Sequence, residues 1–446
     1  MKLDRIKLKH FRCFEDFEME FAEKVTVLFG RNGVGKTSLI HAISKALSVM
    51  FYNDSKMKDI EPLNAGNPKI AVEGFKKDID GMLNPETNNI FKDLLISANG
   101  HCFGQAFAWS HGVSSSSYRY QPSLFKDAYI QLMNLVAEKN FYPLIAYYSD
   151  GFPHIEDDKK VSEKIASLRN FGYHQWNEET ACSKIWLERF ERTWKTMERT
   201  ERTMREGKVS NMDAVMEMYE KAKNEIDAIQ RCLVEFSSDD PDMAVEQLSL
   251  GSFDDKLVIT TVSGNTYSFR KLPAGYKRLF YMILDLAYRS FILNGNTEAR
   301  GVVIIDEIDL HLHPTLEQSV LSRLTHTFPN TQFIVSTHSP LVITNINMEG
   351  GKNRIYRMNP VGTPPTPIND VYGLDYNTGL EDVMGVEARN ADIDNMIEAC
   401  SFMMKMEETE KADKLKELLV TKFNLSAAEI ERRITEHINR MGDAIY

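Results

Sequence analysis

A loop of the type that holds nucleotide phosphates occupies residues 30–37, which read GRNGVGKT and match the pattern G-x-x-x-x-G-K-[ST]. A β-branched run precedes it and a helical pattern follows, so backbone N–H groups of the loop and the helix N-terminus would point at phosphate oxygens. Lys36 would add a catalytic point charge, and the Thr37 hydroxyl could ligate Mg²⁺. We therefore expect ATP and Mg²⁺ to bind here. The expected nucleotide contacts are Asn32, Gly33, Gly35, Lys36, Thr37 and Ser38.

An acidic pair forms the second half of this candidate site, within the stretch GVVIIDEIDLHLHP at 301–314. Its apolar residues predict a buried strand that ends at Asp306 and Glu307, and ligands of parallel sheets bind at the carboxyl ends of strands. Asp306 would hold Mg²⁺, and Glu307 would polarise the attacking water. The alternative is that Asp306 and Glu307 form only a charged turn after a core strand. The presence of the phosphate loop makes this alternative the less favoured one.

Histidines occur in two places that bear on catalysis. His338 follows a second β-branched strand, where it could reach the γ-phosphate; the alternative is a hydrogen-bonded histidine at a strand end. His311 and His313 lie near Asp309, which suggests a metal site, but their loop ends in proline and no further histidines cluster nearby. A loop that packs against a second subunit is the favoured interpretation of that segment.

Composition excludes several classes of protein. The 446 residues carry a net charge of −11, so nucleic acid would not be bound by bulk attraction and any contact with DNA needs a local basic surface. The five cysteines include no C-x-x-C pair, which argues against a disulfide framework or a zinc site. There is neither an apolar run of bilayer length nor a start like a signal peptide. We expect a cytoplasmic protein without a membrane partner.

The pattern of predicted elements is α/β. Strands and helices alternate over the first half, with one strand expected within 68–79, and residues 160–235 are mostly helical. An α/β pattern returns from 255 to 345, the run GTPPTP at 362–367 is predicted to be a linker, and helices follow to the end.

Four motifs together resemble the ABC-type ATPase heads of the RecF-like and OLD-like (overcoming-lysogenisation-defect) group: FRCF, GRNGVGKTS, IIDEIDLHLHP and STHSPLVI. The resemblance implies a P-loop head in which two copies sandwich two ATP molecules, with a helical insertion and a C-terminal helical tail. It also implies that Arg12 lies near the adenine or the phosphates and that His338 is the switch histidine. The implied segments are 1–80 and 251–350 for the two parts of the head, 81–250 for mixed strands and the insertion, and 351–446 for the tail.

The motif that would cap a partner copy's nucleotide departs from the family at one position. The family carries L-S-x-G-x-K/R, whereas this chain reads LPAGYKR, and Pro273 has neither the hydroxyl nor an N–H. Gly275, the helix N-terminus, Lys277 and Arg278 remain as the expected contacts. A lost charge-assisted hydrogen bond is worth roughly 1.5–3 kcal/mol, so we expect hydrolysis to be slower by about 10- to 100-fold. The alternative is an ordinary turn before a core helix.

A second departure concerns the family's glutamine loop. Its expected position, at Ser149 to Gly151, contains no glutamine, and Ser149 or Asp150 would contact Mg²⁺ instead.

The tail resembles that of the ATPase subunits of Septu anti-phage systems, in LPAGYKR and in an element running from Gly379 to Val386 and on to Arg389. The resemblance implies an HNH endonuclease as a separate subunit, with residues 377–446 docking that nuclease or neighbouring ATPase copies. Residues after 345 contain no acidic cluster typical of a nuclease, so the chain itself is expected not to cut DNA. Two alternatives stay open: a stand-alone RecF-like DNA-repair ATPase and an ATP-locked scaffold.

A basic helix at 189–208 could follow a DNA backbone, because arginine or lysine recurs there every three or four residues. Each of Glu188, Glu191, Glu198 and Glu201 precedes an arginine or lysine by four residues, which is typical of a solvated helix with internal ion pairs. The second interpretation is favoured.

Overall fold

The structure is a computed structural model, and it describes residues 1–53, 62–67, 70–113, 118–152, 163–166, 168–177, 183–207, 211–252, 254–385, 391–406, 408–423 and 425–443. The chain forms two compact units, Met1–Gly373 and Leu374–Tyr446. The second unit therefore begins later than residue 351, where the sequence places the start of the tail, because the residues after 351 add strands to a sheet of the first unit.

The elements follow the chain in this order. The strands are β1 (Lys2–Phe11), β2 (Phe14–Glu20), β3 (Val25–Phe29), β4 (Leu95–Cys102), β5 (Gln105–Gly112), β6 (Leu144–Tyr148), β7 (Val245–Leu250), β8 (Leu257–Thr261), β9 (Thr266–Ser268), β10 (Gly301–Ile305), β11 (Thr331–Thr337), β12 (Asn353–Arg357) and β13 (Thr366–Ile368). The α-helices are α1 (Lys36–Ser48), α2 (Lys77–Asp80), α3 (Lys126–Lys139), α4 (Glu163–Ala166), α5 (Ser183–Glu206), α6 (Met212–Ser237), α7 (Ala274–Asn294), α8 (Pro314–Thr327), α9 (Pro340–Thr344), α10 (Tyr376–Thr378), α11 (Ala391–Lys405), α12 (Thr409–Phe423) and α13 (Ala427–Asp443).

A mostly parallel sheet with the order β13-β12-β3-β11-β10-β6 forms the centre of the first unit. Strands β3, β6, β10 and β11 are buried along their whole length, as expected of parallel strands covered on both faces. Their ends are in register, since Ile305 pairs with Val335 and Tyr148, and Thr337 pairs with Phe29. The segments that follow these strands therefore meet at one edge of the sheet.

Two local predictions are wrong. Residues 70–76 are irregular and run into the short helix α2, because side chains bind their backbone: Lys45 Nζ donates to the Gly74 carbonyl at 2.7 Å and the Lys76 N–H donates to Asp80 at 2.8 Å. Residues 68 and 69 lie outside the described part of the chain. The predicted linker at 362–367 instead forms the turn and first residues of an edge hairpin, in which Pro367 occupies an edge strand that tolerates a missing N–H.

An antiparallel sheet with the order β2-β1-β4-β5 packs near the central sheet. A buried glutamine on β11 joins the two sheets, because the Gln332 amide donates to the carbonyls of Leu3 and Ala22 and accepts from the Leu3 N–H, each at 2.7 Å. A side-chain amide whose donors and acceptor are all paired fixes the position of β1 against the central sheet.

The helical insertion is a hairpin of α5 and α6 that contacts α7 and the small sheet β7-β8-β9. Arg189 of α5 forms a two-pronged pair with Glu225 of α6 at 2.8 Å. Where α5 meets α7, Asp285 accepts hydrogen bonds from Trp186 of α5 and from Tyr148 at the end of β6, the latter at 2.6 Å. One buried carboxylate thus joins the insertion, α7 and the central sheet.

The ion pairs predicted within α5 form in one case, between Glu201 and Arg205. Glu191 instead pairs with Lys256, which directly precedes β8, and Lys195 pairs with Asp255. Tertiary contacts with the small sheet therefore replace the predicted pairing along the helix.

The second unit contains α11, α12 and α13, whose apolar faces meet in one core. Its buried residues are Ile397, Cys400, Ala412, Leu419, Ile430 and Ile434. Within the sequence element singled out in this unit, Val386 and Arg389 lie outside the described residues. Across the described ranges, no helix combines the length and the apolar character that a membrane span requires.

We predict that Asp285→Ala lowers the free energy of unfolding by about 3–5 kcal/mol, because it leaves the Arg289 guanidinium buried without its carboxylate at 2.6 Å. Urea titration followed by far-UV circular dichroism measures the loss. The control is Glu298→Ala, which breaks an exposed pair with Arg300 and should cost less than about 1 kcal/mol. Equal losses in both variants would contradict the role given to Asp285.

Candidate nucleotide-binding site

The phosphate loop between β3 and α1 has the backbone that its glycines permit. Gly33 and Gly35 have φ angles of 82° and 98°, in the left-handed region that favours glycine. A Cβ on Gly35 would lie 2.7 Å from the Phe14 ring and 2.9 Å from Cys13 Sγ, so no side chain fits there. Helix α1 begins at Lys36, and its Nζ folds back onto the Gly30 carbonyl at 2.8 Å. The loop is therefore closed around the space that a phosphate would take.

The acidic pair lies at the end of β10, beside this loop. Ser336 on the neighbouring β11 donates its hydroxyl hydrogen to Asp306 and accepts the Glu307 N–H at 2.8 Å. Glu307 has a φ of 50°, a left-handed conformation that is rare for glutamate and more frequent at functional sites. The serine thus orients one carboxylate and fixes the backbone of the other.

The charges of the acidic residues act on Lys36. Burial lowers the pKa of Lys36, and the charges of Asp306, Glu307 and Asp309 oppose that effect. A lysine cation provides the positive charge that phosphates require.

The residues present fit a magnesium ion. Mg²⁺ usually takes one or two carboxylates with hydroxyls, waters and substrate phosphates, rather than an all-protein cage. Asp306 and Thr37 supply such donors at the same sheet edge. Ser149, at the end of β6, is 3 % exposed, and its hydroxyl has no partner among the described residues. No group of three acidic, cysteine or histidine side chains that could hold a metal occurs in the described residues, including the segment of His311 and His313.

His338 follows β11, and its backbone is held by Asp309. The Asp309 carboxylate accepts from the Thr337 hydroxyl at 2.6 Å and from the His338 N–H at 3.2 Å. The half-exposed histidine thus lies at the same sheet edge as the phosphate loop and the acidic pair.

The LPAGYKR segment forms the start of α7, where Pro273 and Ala274 are exposed and no side chain caps the helix. A Cβ on Gly275 would lie 2.8 Å from the His311 carbonyl, so the close approach that this glycine permits is made within its own chain. Lys277 extends over the Tyr281 ring at 5.8 Å. The exposed face of this turn is therefore formed by Pro273 and Ala274.

Arg278, which the sequence analysis expects beside Lys277 as a contact for a partner copy's phosphate, instead ties α7 to the site of its own chain. It is 1 % exposed, so its guanidinium is not available to a second copy. Burial lowers its pKa, and nearby carboxylates oppose the effect. Its guanidinium donates, at 3.0–3.5 Å, to the backbone carbonyls of Ser149, Asp150, Phe152, Asp306 and Glu307.

Arg12 lies in the turn between β1 and β2, next to the residues that contact Gly35. Its guanidinium donates to the Asp80 carboxylate at 3.2 Å, and the same carboxylate forms an ion pair with Lys45 at 3.3 Å. Arg12 is thus placed beside the phosphate loop with its charge held by Asp80, and its contact with a nucleotide stays a prediction.

A cleft of about 230 Å³ adjoins the loop between residues 14–18 and 358–364. Phe14 lines it, and the Met358 carbonyl on its other side closely approaches Gly30. An aromatic face next to a phosphate loop is suited to the base of a nucleotide. The sequence signal for this cleft was the FRCF motif, which ends at Phe14.

Comparisons with known proteins agree with this site. A family model described as an AAA ATPase domain matches residues 1–99, and a second AAA domain model, whose description names the AbiEii toxin of a type IV toxin–antitoxin system, matches residues 263–344. These two matches contain the phosphate loop and the acidic pair, respectively.

Two curated relatives span most of the chain. The "Retron Vc95 probable ATPase" of Vibrio cholerae is 28% identical over 393 residues, covering 78% of this chain and 72% of the relative. The Septu protein PtuA of Bacillus thuringiensis is 25% identical over 356 residues, covering 76% of this chain and 72% of the relative. Among solved structures, the SMC head domain of Thermotoga maritima matches 83% of the chain at 14% identity with a TM-score of 0.44.

The fold class follows from the sheet order and the phosphate loop, which are those of an α/β P-loop ATPase head with a helical insertion and a helical C-terminal unit. The chain is therefore similar to P-loop ATPases: two AAA-type domain models match its two parts, and it resembles the retron ATPases and Septu PtuA over most of its length.

Proposed function

We propose that the chain is the ATP-binding and ATP-hydrolysing regulatory subunit of an anti-phage defence complex, in which it controls a separate HNH endonuclease. The observation that carries the proposal is the likeness to Septu PtuA over 76% of the chain, which accompanies a phosphate loop and an acidic pair at one edge of the central sheet. ATP occupancy would set the geometry between two heads, and that geometry would license or restrain the nuclease.

Each residue of the site has a defined task in this proposal. The loop N–H groups and Lys36 bind the β- and γ-phosphates. Asp306 and Thr37 would hold Mg²⁺, which neutralises charge on the transferred phosphoryl group when bound. Glu307, with its backbone fixed by Ser336, orients the attacking water and accepts its proton. His338 lies where it can contact the γ-phosphate.

Self-association completes the proposed site. The exposed start of α7 in a second copy would cap the nucleotide, and there Pro273 offers no hydroxyl. The helix N-terminus and Lys277 remain as sources of positive charge. Because Pro273 cannot donate the hydrogen bond of the family's serine, we expect ATP to be hydrolysed slowly. Slow hydrolysis suits a regulatory switch better than a motor.

We predict that Lys36→Ala weakens ATP binding by about 100-fold or more, since it removes a charge-assisted contact with phosphate. Glu307→Gln should keep ATP binding and lower turnover by at least about 100-fold. Equilibrium binding of a fluorescent ATP analogue and phosphate release measure the two effects. The controls are Lys139→Ala and Glu298→Gln, at exposed positions that precede the amino ends of β6 and β10, opposite the sheet edge that carries the site.

Unchanged turnover in Glu307→Gln would refute its assignment as the base. A wild-type chain that binds ATP and releases no phosphate would favour the ATP-locked scaffold.

The C-terminal unit supplies the proposed docking surface for the nuclease. On α11, Phe402 and Met406 are 52% and 61% exposed, and they are one helical turn apart, on a face away from the core. Exposed apolar side chains of this kind are typical of the centre of protein interfaces.

We predict that Phe402→Asp with Met406→Asp abolishes co-purification of a co-expressed HNH endonuclease, because charges would be buried in the interface. Tagged chain and nuclease are co-expressed, purified and sized. Val262→Asp is the matched control, since Val262 is 69% exposed in the first unit. A complex that survives the double substitution would place the docking surface elsewhere.

Contact with DNA is supported by one face of α5. Arg192, Arg199 and Arg202 are exposed, and none has an ion pair within the described residues. Their spacing of seven and three residues places them on one side of the helix. Unpaired arginines in a row are suited to the phosphates of a DNA backbone.

We predict that Arg199→Glu with Arg202→Glu weakens binding of a labelled DNA duplex and lowers the slope of log affinity against log salt by about 2. Fluorescence anisotropy at several NaCl concentrations measures both quantities. Lys411→Glu with Lys414→Glu changes the net charge equally on the exposed face of α12 and should have little effect. Equal effects in both double variants would mean that α5 contacts no DNA.

If the chain binds DNA and captures no nuclease, the alternative of a stand-alone RecF-like ATPase would be favoured.

A further inference from the structure

The residue after the switch histidine, Ser339, has all of its hydrogen-bonding capacity in use. Its hydroxyl donates to the Glu317 carboxylate of α8 and accepts from the N–H groups of Leu341 and Val342 at 3.1 and 3.4 Å. A hydroxyl has one hydrogen, so its position decides where the acceptor lone pairs point. Glu317 takes that hydrogen and thereby sets the orientation in which Ser339 starts α9.

The residue before the histidine is fixed in a similar way. The Thr337 hydroxyl donates to Asp309 at 2.6 Å and accepts from the Ser339 N–H at 3.0 Å. Asp309 also accepts the His338 N–H. The backbone of His338 is thus held between two carboxylates, Asp309 on one side and Glu317 on the other.

Glu317 is half-buried, and its surroundings disfavour the negative charge of its carboxylate. Burial raises its pKa, the bond from Ser339 opposes this, and the Asp309 charge raises the pKa further. An acceptor of the same shape without a charge would therefore serve equally well. The position needs an oxygen at the Ser339 hydroxyl rather than a negative charge.

We propose that Glu317 is a positioning residue for the switch histidine: by fixing Ser339 it holds His338 at the angle needed to meet the γ-phosphate. Glu317 touches neither nucleotide nor water in this role. The inference rests on the proposed ATPase function for its catalytic consequence, and on hydrogen bonds alone for its structural one.

The test compares Glu317→Ala, Glu317→Gln and Ser339→Ala with wild type, and Gln318→Ala serves as an exposed control on the same helix. Hydrogen exchange of residues 337–342 is followed without nucleotide, and kcat and KM for ATP are measured in parallel. In Glu317→Ala, which removes one hydrogen bond, exchange should rise about 10-fold and kcat should fall about 10-fold, with KM within about twofold. Ser339→Ala removes the same bond and the two that cap α9, so its effects on exchange and kcat should be at least as large. Glu317→Gln should restore both quantities, because its amide oxygen accepts the same hydrogen.

Unchanged exchange in both alanine variants would overturn the proposal, as would a rise in KM that matches the fall in kcat. A glutamine variant that behaves like the alanine variant would also overturn it. If Glu317→Ala fails to fold, the test rests on Ser339→Ala, which keeps the Glu317 carboxylate and removes the hydroxyl that it binds. Absence of phosphate release from wild type would remove the proposed ATPase function, and the exchange measurement would still decide whether Glu317 positions the loop.

Discussion

A buried arginine holds the catalytic edge of this molecule together. The Arg278 guanidinium is almost completely removed from water, and its two terminal nitrogens donate to backbone carbonyls that follow β6 and β10, whereas its Nε has no partner among the described residues. These are the segments that carry Ser149 and the acidic pair. Helix α7 therefore cannot shift relative to the catalytic groups without breaking hydrogen bonds of a buried cation, which costs several kcal/mol. Whatever touches the exposed start of α7 acts on a helix that is rigidly tied to the site.

The same helix extends this coupling to the insertion. Asp285 lies two turns further along α7 and joins Trp186 of the insertion to Tyr148, which directly precedes Ser149. An event on α5, such as contact of its arginine face with phosphates, thus has a packed and hydrogen-bonded route to the sheet edge. This arrangement gives the insertion a physical role that its sequence, a short amphipathic hairpin, does not reveal.

The parts of the site that the sequence predicts are those set by local rules. The phosphate loop, Asp306, Glu307 and His338 each follow a buried strand, and parallel strands bring such positions to one edge whatever else the chain does. The buried contacts of Arg278, the role of Glu317 and the pairing of Arg12 with Asp80 were not predicted, because each depends on a contact between residues distant in sequence.

The errors have the same origin as these omissions. The strand predicted within 68–79 is lost because Lys45 and Asp80 bind its backbone, and the prolines of 362–367 mark an edge hairpin rather than a linker. The pairing predicted along α5 gave way to contacts with the small sheet for a similar reason: Glu191 found closer partners elsewhere. The local sequence pattern predicts most helices and strands correctly. The partners of charged side chains cannot be predicted in this way, because they depend on which elements the fold brings together.

The central claim is that a triphosphate held by the phosphate loop of one copy is capped by the start of α7 in another. Cryo-electron microscopy of the Glu307→Gln variant with ATP and Mg²⁺ tests this most directly, because the variant should bind ATP without consuming it. The account predicts a pair of heads in which the α7 N-terminus of one copy lies within hydrogen-bonding distance of the γ-phosphate of the other. Nucleotide bound to the phosphate loop with that turn facing solvent in every assembly would contradict it.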